Sequence, residues 1–402
     1  MWKDVKDASR WDRQGWTVLS DERRYQLLYL VLYAAANGIS GYRNVFFEDI
    51  GLSEAQMGVI GAVLVGAGIL VQPIWGVLAD AYGRTKLAMA VGALVSIVGG
   101  LLFPLGLIVE SPFLLMLLAA VIYSAFRSPI IPLANSMVMG SGINFGNVRA
   151  FGSVAFGVGI LAMGPLVDAF GTATIFVVYA VGMVIFVVSL RELPKPPATD
   201  LTPEFRADSL RLVTDRRFVL LLLVAVLIGA ATTTGGAFFS VYIRAIDAGD
   251  SMTGAAWFVR TLAEAAVFVG AARLGWRHRS QLLLGTVILA LSFVLYVTPG
   301  TLPAVFLAQV PQGAGFAFFT LASVSLAHEY APEALSASAQ AALAAIGLGT
   351  GRVAGQVVGG WIATVVGVEG MYVYVVLAAG IAGLLSLGFF VSPSSDRSVT
   401  VG

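Results

Sequence analysis

Four ionisable side chains stand deep in apolar surroundings, and their types limit the chemistry open to this chain. Arg260 and Glu264 lie four residues apart in the run DSMTGAAWFVRTLAEAAVFVG, so on a helix they share one face. Ionisable groups at membrane depth are costly and usually serve function. Burial and a neighbouring guanidinium act in opposite directions on a carboxyl's proton affinity, the balance that proton coupling needs. The same spacing also fits a permanent ion pair that lets the helix insert. Glu264 is the one carboxylate deep in any apolar run, which makes it, with Arg260, the candidate proton-coupling pair. Arg127 and Arg352 are likewise too deep to snorkel easily. Three arginines against one carboxylate leave an excess of positive charge that an anionic solute would balance. Arginines also donate to hydroxyls and carbonyls, so neutral polar solutes stay open.

Neutral polar residues recur around these charges. Tyr33, Asn37, Asn44 and Glu48 follow helical spacing, as do Gln309, Gln312, Thr320 and Ser323, while a third run offers Thr233, Ser240 and Arg244. Such stripes fit either the lining of a wet cavity or hydrogen bonds between helices. Arg149 fits a ligand contact or an anchor at the membrane surface, and Arg43 beside Tyr42 reads as an interface anchor. Gly347, Gly351, Gly355 and Gly359 form a small-residue seam suited to close helix packing.

The elements that position these groups follow from composition. The chain is 58% hydrophobic and 12% charged, with mean hydropathy +0.87, where soluble domains carry roughly 25% charged residues. Lipid is the expected solvent. Stretches of about 20 apolar residues, enough to cross a bilayer, fall at 25–47, 53–79, 86–109, 112–139, 148–170 and 172–190, then at 217–246, 251–275, 279–298, 302–328, 334–366 and 371–391. Most Lys and Arg gather in alternate loops, which predicts cytoplasmic termini and an even number of spans; Arg244 is the clearest exception. The polar interval around RELPKPPATDLTPEFRADSLRLVTDRR divides the chain. The expected organisation is a cytoplasmic segment 1–24, a six-helix bundle 25–190, a linker 191–216 whose EFRADSLRLV could form an amphipathic helix, a second bundle 217–391 and a tail 392–402. The first twenty-four residues are polar, so no cleavable signal peptide is expected.

A finer repeat runs inside each half. GVLADAYG (Gly76 to Gly83) ends span 2 and GPLVDAFG (Gly164 to Gly171) ends span 5, with looser echoes ending span 8 (GAARLGW, from Gly270) and span 11 (GWIATVVG, Gly360 to Gly367). Four three-span units, alternately inverted, are a transporter plan. Spans 3, 6, 9 and 12 carry no charge within the apolar run, as lipid-facing scaffold would.

WGVLADAYGRTK (Trp75 to Lys86) resembles the signature loop of the major facilitator superfamily. The resemblance implies twelve transmembrane helices in two pseudo-twofold six-helix bundles, an all-α membrane fold, with Asp80 and Arg84 helping to gate between the halves. NFGNVRAFGSVAFGVG (Asn144 to Gly159) resembles the entry to span 5 in the lactose permease and nucleoside–proton symporter branch, which implies substrate contact for Arg149. PLAN (Pro132 to Asn135) is similar to the preceding segment, where the sugar permease has a carboxylate and this chain has neutral Asn135. LAEAAVF (Leu262 to Phe268) matches the acid of span 8 to Glu264. AQVPQGAGFAFF and HEYAPEALSASAQ fit spans 10 and 11, but relatives often have His where Gln312 stands, so that protonatable partner is missing here.

The reading is a secondary transporter of the plasma membrane that imports a small polar or anionic metabolite (a sugar, nucleoside, or organic or aromatic acid) by alternating access with a coupling proton. Sodium stays open as the coupling ion. Substrate-binding candidates are Arg127, Asn135, Arg149, Arg352, Asn37, Gln309 and Gln312. A proton-coupled efflux antiporter shares the architecture, and a membrane sensor is the remoter alternative. With no Cys and two His, thiolate and His-based metal sites are excluded, and no clustered catalytic set indicates an enzyme. No cofactor or nucleic-acid partner is expected, and the expected state is a monomer in the bilayer.

Overall fold

A computed structural model of the chain describes residues 19–194, 214–271, 275–297, 300–332 and 335–391, without the side chains of Asp80, Ser336, Ala337 and Val391. The segment before residue 19, the amphipathic stretch expected at 204–213 and the tail from 392 lie outside the described residues. Among the described residues the chain is helical and has no strand.

Ten helices are long and apolar enough to cross a membrane. One of them, Ser338–Phe390, spans 53 residues and reverses at Gly367, whose φ of 79° is left-handed and open to glycine at no steric cost. It is therefore two spans. Asp21–Asp49, 29 residues long with charged ends, is the twelfth. In chain order the spans are Asp21–Asp49, Glu54–Tyr82, Thr85–Leu102, span 4 in two pieces (Phe113–Arg127 and Ile130–Gly140), Phe145–Phe170 and Thr174–Ser189. The second set is span 7 in two pieces (Arg216–Ala237 and Phe239–Ala245), Asp250–Gly270, His278–Val297, Leu302–Tyr330, span 11 from Ser336 to Gly367, and span 12 onward to Val391.

Local sequence explains the starts and breaks. Ser20 caps span 1, Asn144 caps span 5, and Asp215 accepts from the backbone N–H groups of Arg217 and Phe218 at 2.8 and 2.9 Å to cap span 7, satisfying donors a helix start leaves free. Pro129 has no N–H to continue the ladder, so the first piece of span 4 stops at Arg127. That places a guanidinium at a helix C-terminus, where the dipole favours a cation. Span 11 carries a π-helical turn at Leu343–Gly349.

The repeat seen as weak sequence echoes is written into the backbone. Gly171 and Gly367 close spans 5 and 11 with φ of 83° and 79°, and Gly83 and Gly275 follow spans 2 and 8 with φ of 57° and 58°. Packing is equally symmetric: span 1 lies on spans 5 and 6 as span 7 lies on the spans 11–12 helix, span 3 on 4 and 6 as span 9 on 10 and 12, and span 2 on 4 as span 8 on 10. Spans 3, 6, 9 and 12 each show an exposed apolar stripe, such as Val91, Leu94, Val98 and Leu101 on span 3 and Val373, Leu377, Ile381 and Leu384 on span 12. These match the scaffold role expected for them.

The two bundles meet through span 2 on span 11 and span 5 on span 8. At the end away from the chain termini these contacts are backbone-close. A Cβ on Gly58 would stand 2.3 Å from the Gln356 carbonyl oxygen, and one on Gly254 would stand 2.3 Å from that of Ile160. Toward the terminal end, Gly76 and Gly270 have nothing within 4 Å of an added Cβ. The halves are zipped at the far end and splayed at the end that carries the termini.

Candidate functional site

The zipped end is held by charge. Arg244, in the last turn of span 7, donates to both carboxylate oxygens of Asp250 at 3.0 and 2.8 Å, and across the bundle seam to Asp49 at 2.7 Å and Glu48 at 3.4 Å. Thr172 donates to the other oxygen of Asp49 at 2.6 Å. Around this knot the Ser251 backbone N–H and hydroxyl both donate to Asp168. The Ala55 N–H donates to Thr364 at 2.8 Å, and the Tyr42 hydroxyl donates to the Asp250 carbonyl at 3.2 Å. Each of these last three links also joins one bundle to the other. Arg244 stands out in the sequence as the basic residue on the wrong side of the charge pattern, and its latch contacts give the physical reason.

Beneath the latch, span 8 presents the predicted pair. Arg260 is 7% exposed, and its guanidinium lies over the Trp257 ring at 4.7 Å and the Phe316 ring at 5.6 Å. Span 10 approaches so closely here that a Cβ on Gly313 would lie 2.3 Å from the Arg260 carbonyl oxygen. Glu264 is half-buried one turn on. Among the described residues no ion pair or hydrogen bond joins it to Arg260; the permanent pair that the spacing allows is not what the side chains form. The aromatic faces take the guanidinium instead, a contact worth about 0.5–2 kcal/mol. Arg260 and, from the other bundle, Arg149 stand within electrostatic reach of Glu264. Trp257 also meets Phe156 of span 5 at 6.2 Å and Phe239 of span 7 at 6.4 Å between ring centroids. It was not singled out in the sequence, although it lies three residues before Arg260 on the same helical face.

In the first bundle, Arg149 lies over the Tyr33 ring at 4.6 Å and donates to Ser153 at 3.0 Å. Tyr33 stacks on Tyr29, whose hydroxyl donates to Asn135 at 2.6 Å. The candidates Arg149 and Asn135 thus belong to one chain of contacts across spans 1, 4 and 5. Arg127 is 7% exposed, and its Nε is buried without a hydrogen-bond partner.

Arg352 is exposed, and the helical wheel shows toward what. Gly351, Gly355 and Gly359 face Val226, Ala230 and Thr234 of span 7, whereas Gly349 and Gly360 face Ile69 and Gly58 of span 2. At 3.6 residues per turn, Arg352 falls on the arc between those two faces, opposite the exposed apolar Ile346, Val357 and Trp361. It points between the bundles and away from the lipid-facing stripe.

The remaining candidates scatter. Asn37 is fully buried against Gly159, with neither amide atom partnered. Gln309 donates to the Tyr296 hydroxyl at 2.6 Å, and Gln312 is buried one turn on. Neither Asn37 nor Gln309 is open to a cavity in this conformation. Arg84 is exposed beside an apolar groove with Trp75, Tyr82 and Leu87, and the side chain of Asp80 lies outside the described residues. Arg43 departs from its reading as an interface anchor. Its neighbour Tyr42 is fully buried and bonded to span 8, and the Arg43 Nε is buried without a partner.

Comparison with known proteins agrees with this architecture. Residues 23–374 match the MFS_1 like family. The maltose permease of Geobacillus stearothermophilus is 26% identical over 354 residues, covering 86% of this chain and 89% of the permease. Among solved structures, the nucleoside transporter NupG superposes with a TM-score of 0.81 at 17% identity, covering 92% of this chain and 98% of that one. A D-xylose-proton symporter superposes with a TM-score of 0.72 at 13% identity, covering 92% and 97%. With twelve spans in two like bundles and a family model matched over most of its length, the chain belongs to the MFS_1 like family of major facilitator transporters.

Proposed function

We propose that this protein imports a small polar or anionic metabolite by proton-coupled symport, with Glu264 as the proton carrier. The observation that carries the reading is a carboxylate on span 8 that forms no ion pair among the described residues and stands within electrostatic reach of Arg260 and Arg149. Protonation removes its attraction to an arginine on the opposite bundle. Each proton bound or lost therefore changes the relative free energy of the states in which the bundles approach or separate. Arg260, held by Trp257 and Phe316, is a positioning cation, and Arg149 and Arg352 are the substrate contacts nearest the seam. Asn135 supports Arg149 through Tyr29 and Tyr33. Arg127, Asn37, Gln309 and Gln312 complete the polar wall in other states of the cycle. The maltose, nucleoside and D-xylose–proton transport named for the similar proteins supports a small solute and a coupling proton.

The bundles 25–190 and 217–391 rock about this seam in the plasma membrane, with both termini and the linker 191–216 on the cytoplasmic side. In that orientation the structure is the inward-open state, Arg244 latches the outer gate, and Asp80 with Arg84 belongs to the inner gate that is now apart. The test is uptake into proteoliposomes under an imposed pH gradient, using a pooled metabolite panel and reading which solutes accumulate. Gradient-driven accumulation in the unmodified protein and its loss in Glu264→Gln are expected. Accumulation undiminished in Glu264→Gln overturns the coupling assignment, and gradient-driven expulsion of preloaded solutes overturns import.

A further inference from the structure

Two arginines inside the first bundle have no acid to answer them among the described residues. Arg43 is on span 1 and Arg127 at the end of the first piece of span 4. In each the Nε is buried without a hydrogen-bond partner, and Arg127 is 93% buried as a residue. Among the described residues, no Asp or Glu pairs with either one, and none stands within electrostatic reach of Arg43. What both approach is Tyr123. Helical side chains lean toward the N-terminus of their own helix, and the two spans run in opposite directions. Arg43 therefore leans toward the terminal end of the molecule and Arg127 toward the zipped end, so they converge at the depth of Tyr123. Behind Tyr123 stands Tyr179, 5.2 Å away between ring centroids, whose hydroxyl is 2.6 Å from that of Ser96. Phe103 lies 6.2 Å from Tyr123 on another side.

Two guanidiniums bring ten N–H donors, and the neutral phenol near them is a poor match in charge and in acceptor count. A guanidinium with a buried, unpartnered Nε and no acid to pair with is costly to keep, so two of them near one tyrosine suit an anionic partner in the working cycle. A carboxylate fits best, because its two oxygens accept parallel bonds from a guanidinium fork.

We propose that Arg43 and Arg127 form a carboxylate-binding site in the first bundle, so that the cargo class is an organic acid. This rests on the transport reading above and narrows its substrate class. It also gives Arg43 a role in place of membrane anchoring.

The experiment is thermal unfolding of the purified full-length protein in detergent, titrated with benzoate, with its neutral analogue benzamide and with potassium chloride. A saturable rise in Tm with benzoate and none with benzamide is expected. Affinity should fall at least tenfold in Arg127→Gln and in Arg43→Gln, and less in the charge-keeping Arg43→Lys and Arg127→Lys variants. Equal stabilisation by benzamide, no stabilisation by benzoate, or benzoate binding undiminished in both Gln variants overturns the site. A chloride effect equal to that of benzoate, with the same dependence on the two arginines, overturns the cargo assignment in favour of a resident inorganic anion. The benzoate and benzamide comparison on unmodified protein decides the matter even where a variant does not fold. Since binding is read at equilibrium without a gradient, it can fail while proton-driven uptake stands, and the reverse.

Discussion

Replacing Arg244 with Gln should open the far end of the protein. The guanidinium makes two cross-seam contacts with carboxylates, at 2.7 Å to Asp49 and 3.4 Å to Glu48. Charge-assisted hydrogen bonds in protected sites contribute about 1.5–3 kcal/mol. Here Arg244 is 27% exposed and Asp49 37%, so solvent screening reduces each contribution toward the exposed-pair range of about 0–1 kcal/mol. The two together hold the closed state by roughly 1–2 kcal/mol, a factor of about 5–30 in the population ratio. Loss of the cation also leaves Glu48, Asp49 and Asp250 facing one another, which acts in the same direction. The chain has no cysteine, so a single introduced thiol reports without background. Thr253, fully buried on span 8 between the seam residues Ser251 and Gly254, is replaced by Cys and its reaction with a membrane-impermeant maleimide is timed. The Arg244→Gln variant should label about 5–30 times faster, and the effect should shrink in an Asp49→Asn background because one partner is already neutral. A folded Arg244→Gln variant that labels at the unmodified rate refutes the latch.

Three further outcomes follow from the same geometry. Trp257→Leu removes the ring beneath Arg260 and frees the guanidinium toward Glu264; the lost contact is worth about 0.5–2 kcal/mol. Proton-driven uptake should fall while counterflow exchange of the same solute is reduced less, and equal loss of both contradicts the positioning role. Gly58→Val adds atoms where even a Cβ stands 2.3 Å from the Gln356 carbonyl oxygen, so it should force the zipped end apart and speed labelling at Thr253→Cys. Gly367→Ala puts a Cβ on a left-handed residue at a cost of about 1 kcal/mol or more. Tm should fall by a similar amount in Gly171→Ala if the two are repeat equivalents.

Much of the architecture was legible because a bilayer leaves few solutions. Backbone groups must be satisfied within each span, so length and hydropathy alone separate twelve helices, and the polar interval after span 6 divides them into two sets. The repeat motifs were weak as strings, yet Gly171 and Gly367 share one backbone conformation because each must reverse the chain at the end of its span. The site was less legible. Helical spacing puts Arg260 and Glu264 on one face but cannot tell that Trp257 and Phe316 take the guanidinium. That preference comes from span 10 pressing Gly313 onto span 8, a tertiary contact with no local signal. Arg244 is legible as a charge out of place and as the end of a polar stripe, but neither names its partners, because its three acids come from the ends of spans 1 and 8. Gln309 looked like cavity lining, since spacing alone does not show that Tyr296 of the neighbouring helix accepts its amide.

If Glu264 carries the proton that moves with the solute, proton entry and solute entry are stoichiometric. The most direct measurement is proton flux. Proteoliposomes loaded with a pH-sensing dye receive the solute that the panel uptake identifies, with no pH gradient imposed beforehand. Acidification of the lumen in step with solute entry is expected for the unmodified protein, and solute entry without acidification, or no entry, for Glu264→Gln. Acidification that persists at the unmodified stoichiometry in Glu264→Gln would contradict that role.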